Sequence, residues 1–252
     1  GGYVPLDPEY PPERIAHMVA DSDAEVIVTE TRLLPGLPVG RSAQVALDAE
    51  SGQLAAESGE APQSGVTPDD VVYVIYTSGS TGMPKGSLVF HRGVVNLLDW
   101  YTGEFPWGEA ARPLLMTSLS FDLTQKNIWA PLITGGTLYL YEQPFYDAGL
   151  ILETIERHSI TLVNCTPSAF VGLLTPPDEG AYLKLRTLDF VVLGGEPIPV
   201  ARLRGWRESG HCRALVVNTY GPTECSDVCA FYRLEDYDRY EKTSVPIGYP
   251  IL

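Results

Sequence analysis

The chain has 252 residues, 44% of them hydrophobic and 19% charged, with a mean hydropathy of zero; that is enough apolar material for a sizeable core and too much for intrinsic disorder. Its 17 basic residues against 32 acidic ones give a formal net charge of −15, which argues against a nucleic-acid-binding surface or one that docks on anionic membrane. No apolar run approaches the roughly 20 residues that span a bilayer, and the opening Gly1-Gly2-Tyr3-Val4-Pro5 carries no leader pattern.

There is no initiator Met, so a processed chain or, as the leading expectation, a piece of a longer protein is expected. The four cysteines, Cys165, Cys212, Cys225 and Cys229, form no CxxC pair. They are read as buried, reduced thiols in a cytoplasmic protein rather than a zinc site.

In chain order, a helix is expected to start within Pro11–Arg14, where proline's missing N–H is harmless in the first turn. Glu25–Thr29 reads as a short buried strand. Residues 34–70 are acidic and rich in Gly, Pro, Ala and Ser, so they are expected to form a surface excursion with one short strand at Gln44–Leu47. Val71–Tyr76 is a continuous β-branched and aromatic run and reads as a buried strand. Beyond it, helices are expected near Arg92–Tyr101, Leu123–Ile133, Gly149–His158, Ser168–Leu174 and Val200–Ser209. They alternate with strands near Leu114–Thr117, Thr137–Tyr141, Thr161–Asn164, Phe190–Leu193 and Ala214–Asn218. Such alternation predicts an α/β fold with mostly parallel sheets.

The densest chemical signal follows the Val71–Tyr76 strand. Tyr76-Thr77-Ser78-Gly79-Ser80-Thr81-Gly82-Met83-Pro84-Lys85-Gly86 packs three glycines, four aliphatic hydroxyls and a lysine into eleven residues. Glycine lets a backbone approach a phosphate and present its N–H groups, and Lys85 adds a positive charge. A Walker A loop is excluded, because proline precedes the lysine and glycine follows it.

On these residues the chain resembles the adenylate-forming superfamily, and within it the amino-acid adenylation domains of nonribosomal peptide synthetases. The resemblance runs along essentially the whole chain. The stretch from Gly2-Tyr3-Val4-Pro5 to Arg14-Ile15 is similar to the family's second core motif and the Thr77–Gly86 loop to its third. Ser120-Phe121-Asp122 resembles the fourth, and Asn218-Thr219-Tyr220-Gly221-Pro222-Thr223-Glu224 the fifth.

The resemblance implies an α/β fold of two similar sheet-and-helix subdomains facing each other across an ATP cleft. It implies an enzyme that joins an amino-acid carboxylate to the α-phosphate of ATP, with Mg²⁺ as cofactor. Phosphate contacts would come from Thr77, Ser78, Gly79, Ser80, Thr81, Gly82 and Lys85. Glu224 and Thr81 would hold the metal, and a carboxylate is the right hard ligand for magnesium. Tyr220 would stack on adenine, with Asn218, Thr219, Gly221 and Thr223 beside it. Gly195 and Glu196 lie along the nucleotide, and His91 falls where the family often has a histidine near the substrate carboxylate; a lone histidine is otherwise structural.

Asp122 implies an α-amino acid, because in relatives an aspartate here pairs with the α-ammonium. It also reads as a good N-cap. The side-chain pocket maps to Leu123, Lys126, Asn164, Val192, Gly194, Thr219, Asp227 and Val228. Four of these are polar, which points away from a bulky apolar substrate. A buried lysine needs a counter-charge. Either Asp227 supplies it, leaving a neutral polar pocket, or the substrate's own carboxylate does, or Lys126 points to solvent. An acidic amino acid is the leading expectation, with serine, threonine or asparagine standing equal to it if Asp227 pairs with Lys126.

The expected organisation is one partial adenylation core over 1–252, with the excursion at 34–70, the phosphate loop at 77–86 and the pocket within 121–228. The chain stops at Pro246-Ile247-Gly248-Tyr249-Pro250-Ile251-Leu252, before the family's later motifs, so weak or no adenylation is expected of it alone. The partners implied are the amino acid, a peptidyl carrier protein bearing phosphopantetheine and, as in some relatives, a small MbtH-like accessory protein. The alternatives are a stand-alone acid–CoA or aryl-acid ligase, against which Asp122 and the Tyr3–Ile15 motif speak, and a degenerate nucleotide-binding module, against which Lys85, Tyr220 and Glu224 speak.

Overall fold

The computed structural model describes residues 1–38, 40–78, 82–143 and 145–251. The chain divides into two compact units, Gly1–Arg92 and Gly93–Leu252.

In the first unit, α1 (Pro12–Ser22) begins with proline in its first turn and ends at Asp23 in a left-handed conformation, φ 48°. It buries Ile15, Met18 and Val19, and Ile15 and Val19 pack with Ile27. The strands β1 (Val26–Thr29) and β2 (Ala43–Ala46) pair in parallel. The expected buried strand at β1 is half right: only Ile27 is buried, while Val26 and Val28 face outward at 53% and 63% exposure. A two-stranded sheet with one covered face protects alternate residues only. After the short α2 (Ser51–Leu54) come β3 (Val71–Thr77) and β4 (Lys85–Phe90), an antiparallel hairpin. Strand β4 is an addition to the expected elements. Its glycine and lysine read as loop, yet Ser87 and Val89 alternate inward in the manner of a strand.

The second unit contains, in order, all but the first two residues of α3 (His91–Glu104), then β5 (Pro113–Leu115), α4 (Asp122–Thr134), β6 (Tyr139–Leu140) and α5 (Ala148–His158). There follow β7 (Leu162–Cys165), α6 (Pro167–Leu173), α7 (Glu179–Lys184), β8 (Phe190–Gly194), α8 (Val200–Glu208) and β9 (Leu215–Tyr220). The last elements are β10 (Ala230–Leu234), α9 (Tyr237–Tyr240) and β11 (Tyr249–Pro250). One seven-stranded sheet runs in the order β11-β10-β9-β8-β7-β5-β6. The five strands from β9 to β6 are parallel, and β10 and β11 are antiparallel.

Both faces of this sheet are covered, which explains its unbroken apolar strands. Along β8 and β9, Val191, Leu193 and Val216 join the cluster containing Ile151, Ile155, Phe170, Leu203 and Trp206. The intervening Val192 and Val217 join Leu97, Trp100, Tyr101 and Phe105 on the other side. Local chemistry sets the helix starts. The side chains of Asp147 and Asp178 accept the N–H of Leu150 and Ala181, at 3.0 and 2.8 Å. The α/β expectation and the mostly parallel sheet hold, and the first unit adds two two-stranded sheets. Among the described residues, no helix is long and apolar enough to cross a membrane.

Candidate functional site

The glycine-rich segment is the connection of the β3–β4 hairpin. Thr77 closes β3 and pairs with Lys85, which opens β4, while Tyr76 pairs with Gly86. The loop is therefore shorter than 77–86, its outer residues belonging to the ladder. Ser78, Gly82 and Lys85 are exposed, and Gly82 has φ +84°, a left-handed conformation that suits only glycine without strain. Gly79, Ser80 and Thr81 lie outside the described residues. His91 opens α3, its backbone N–H donating to the Asp70 carbonyl at 3.0 Å.

In the second unit the predicted pocket residues collect at the carboxyl end of the parallel strands, where open α/β sheets bind ligands. Sheet order reverses between β5 and β7: β6 lies outside β5, whereas β8 and β9 continue beyond β7. Helix α4 follows β5 and packs on both β5 and β7. It thereby carries Asp122 and Lys126 beside Asn164 on β7.

Lys126 is fully buried. Its Nζ donates to the Leu123 carbonyl at 3.2 Å and forms an ion pair with Asp227. Of the three arrangements open from sequence, this is the internal pair. Burial foremost pushes the Asp227 carboxyl up to about 6; the Lys126 ammonium pulls it down and the Asp122 carboxylate pushes it up again. Asp227 has φ +79° and Ser226 φ +64°, a tight turn that returns Asp227 over Gly221. A side chain at Gly221 would overlap the Asp227 carbonyl.

The raised pKa fixes a pH dependence. Between the ordinary carboxylate range and about pH 6 the folded chain keeps a proton that the unfolded chain has released. That contribution favours folding at the acid end and is lost as pH rises through about 6. Compared with Asp227→Asn, the wild type should thus lose relative stability from pH 4 to pH 7 in denaturant titrations. A constant difference across that range would contradict the raised pKa.

Asp122 is the first residue of α4 rather than its N-cap, which is Phe121. Its Oδ1 accepts the Leu123 N–H at 2.7 Å, and Oδ2 takes no hydrogen bond among the described residues. Val192, Gly194 and Val228 are buried, as are Leu123, Asn164 and Thr219. The Thr219 hydroxyl donates to the Leu193 carbonyl at 3.1 Å, and the Asn218 amide donates to the Pro246 carbonyl at 2.8 Å.

Gly195 turns with φ +84°. The two oxygens of Glu196 accept the Ser168 N–H and hydroxyl at 3.0 and 2.9 Å, at the first turn of α6. Tyr220 and Glu224 are exposed and Thr223 half-buried. No hydrogen bond or ion pair among the described residues engages the side chains of Lys85, Tyr220 or Glu224.

Two contributors escaped the sequence reading. The Tyr101 hydroxyl donates to Asn127 Oδ1 at 2.7 Å, and the Asn127 amide donates to the Leu123 carbonyl at 2.8 Å. The Asn164 amide approaches Asn127 Oδ1 at 3.4 Å. Burial raises the Tyr101 pKa, so its phenol keeps the proton it donates. The available signal was α4 itself, where Thr124, Gln125, Lys126 and Asn127 are four consecutive polar residues, all buried. A solvated helix face cannot contain four consecutive positions. The thiols also depart from expectation: Cys165 is buried, but Cys225 is exposed and Cys212 and Cys229 are half-buried.

The AMP-binding enzyme family matches residues 1–252. Tyrocidine synthase 3 of Brevibacillus parabrevis is 34% identical over 248 residues, 98% of this chain and 4% of that protein. Gramicidin S synthase 2 of Brevibacillus brevis is 33% identical over 252 residues, 100% of this chain and 5% of the relative. The chain thus spans a small part of the curated relatives it matches. Among solved structures, the nonribosomal peptide synthetase FmoA3 in its AMPPNP-bound form superposes with a TM-score of 0.84 at 29% identity, covering 100% of this chain and 26% of that one. The Klebsiella oxytoca NpsA N-terminal subdomain, at 22% identity, shares the fold with a TM-score of 0.82 over 98% of this chain and 60% of its own. Matched along its whole length, the chain belongs to the AMP-binding enzyme family.

Proposed function

We propose that this chain is the core of an amino-acid adenylating ligase of nonribosomal peptide synthesis. A carboxylate oxygen of the amino acid attacks the α-phosphorus of ATP. The bond from that phosphorus to the β-phosphate bridging oxygen breaks, and pyrophosphate leaves. The aminoacyl group then passes to the phosphopantetheine thiol of a carrier protein, with AMP leaving. Thr77, Ser78, Gly79, Ser80, Thr81, Gly82 and Lys85 form the phosphate-binding segment. Tyr220 offers an exposed ring to the adenine, with Gly221 and Thr223 following it.

Magnesium fits this donor set. It keeps most of its waters and takes one or two carboxylates plus phosphate oxygens, so the single unengaged carboxylate of Glu224 suits it, with Thr81 as a hydroxyl partner. No cluster of three or more metal-binding side chains occurs among the described residues. Bound there, it would offset charge when one anion approaches another.

The observation that carries the substrate reading is the Lys126–Asp227 pair. Lys126 is engaged by Asp227, so Asp122, whose Oδ2 takes no hydrogen bond among the described residues, is the carboxylate open to the substrate's α-ammonium. The same pairing removes the case for an acidic side chain, because Lys126 already has its counter-ion. The substrate we propose is a neutral, polar amino acid of the serine, threonine or asparagine class. In support, the FmoA3 synthetase has also been solved with α-methyl-L-serine-AMP, and that structure superposes on this chain with a TM-score of 0.81. The test is ATP–pyrophosphate exchange by the full-length protein against a panel of amino acids. Exchange confined to aspartate or glutamate would overturn the substrate class while leaving the activity intact.

A further inference from the structure

Helix α1 carries His17 and Asp21 one turn apart, so both side chains leave the same face. His17 Nε2 lies 3.0 Å from the carbonyl oxygen of Pro84. A carbonyl only accepts, so Nε2 carries the proton and donates. Asp21 Oδ2 accepts the Tyr76 hydroxyl at 2.8 Å. The rings of His17 and Tyr76 meet edge to face, with centroids 6.1 Å apart.

These contacts fall on the two limbs of one loop. Tyr76 stands at the end of the ascending limb, one residue before Thr77. Pro84 stands at the end of the descending limb, one residue before Lys85. Proline has no N–H, so its carbonyl is the only backbone group with which Pro84 can be tied. The Tyr76 ring also lies over Gly86, where a side chain would run into that ring and Val74. The hairpin ladder aligns Thr77 with Lys85, and α1 then fixes the ladder's open end from outside.

We propose that His17 is a positioning residue for the phosphate loop, with Asp21 acting through Tyr76 as the second tie, and that the pair sets where Lys85 presents its ammonium. This rests on the reading of the loop as the segment that receives the ATP phosphates. Losing one such hydrogen bond should cost about tenfold in the KM for ATP. The KM for the amino acid should not change, because His17 acts only on this loop. His17→Gln places an amide N–H donor at similar reach and should restore the wild-type value. Tyr76→Phe keeps the ring over Gly86, removes the hydroxyl's two bonds to α1, to Asp21 at 2.8 Å and to the Met18 carbonyl at 3.4 Å, and should move the KM for ATP the same way.

The experiment is hydrogen–deuterium exchange of residues 77–86 in the full-length protein, alongside pyrophosphate-exchange kinetics. His17→Ala should speed deuterium uptake in that segment while α1 and β1 keep their protection, and His17→Gln should reverse the change. Unchanged uptake in His17→Ala, uptake that rises throughout α1 and β3 together, or failure of His17→Gln to rescue would each overturn the proposal. If uptake responds and is rescued but no variant, wild type included, exchanges pyrophosphate, the positioning role stands and the proposed activity falls.

Discussion

Replacing Lys126 with alanine is expected to destabilise the second unit by about 3–5 kcal/mol at neutral pH. The reason is the partner left behind. Asp227 is 6% exposed, and without the ammonium its charge has no compensation. The carboxyl escapes by taking up a proton, which from the ordinary carboxylate range costs on the order of 4 kcal/mol at pH 7. The penalty should therefore shrink as pH falls toward 4, where protonation is nearly free. Combining Lys126→Met with Asp227→Asn removes both charges and keeps most of the volume, so the double variant should regain most of the loss. Denaturant titrations at pH 7 and pH 5 measure all of this. A single-variant loss below about 1 kcal/mol, or one independent of pH, would mean that the pair carries little of the pocket's stability.

Glu224→Gln keeps the shape and hydrogen-bonding reach of the side chain and removes its charge. Magnesium prefers an anionic oxygen, so the magnesium concentration giving half-maximal pyrophosphate exchange should rise at least about tenfold, and the exchange rate should fall by up to about a hundredfold. The KM for the amino acid should stay where it was, since the proposed amino-acid pocket is built from Asp122, Lys126 and Asn164. Folding should be unaffected, because Glu224 is exposed and bonded to nothing among the described residues. An unchanged magnesium dependence would remove Glu224 from the site.

Much of this was legible in the sequence, and its limits follow from physics. The parallel strands β7, β8 and β9 were readable because a sheet covered on both faces has apolar residues at every position. Strand β4 was not, because its burial alternates and its first residues, Lys85 and Gly86, have loop chemistry. β10 was missed because only Ala230 and Leu234 of its five residues are buried. In the proposed site, Asp122, Lys126 and Asp227 are what the resemblance of the motifs around them implies, but the sequence does not decide the partner of Lys126. Residues 126 and 227 are brought together only by the β5–α4 crossover and the left-handed turn at Ser226–Asp227. The partner of Glu196 is equally invisible in the sequence, because Ser168, which donates to both its oxygens, is brought to it only by the start of α6.

The reaction we propose for the full-length protein is activation of a neutral polar amino acid through its carboxylate. The most direct measurement is pyrophosphate exchange into ATP by the full-length protein, run with each amino acid separately. Exchange should depend on ATP, magnesium and an amino acid of the serine, threonine or asparagine class, and should be lost in Asp122→Ala. No exchange with any amino acid, from a folded protein supplied with magnesium, would contradict it.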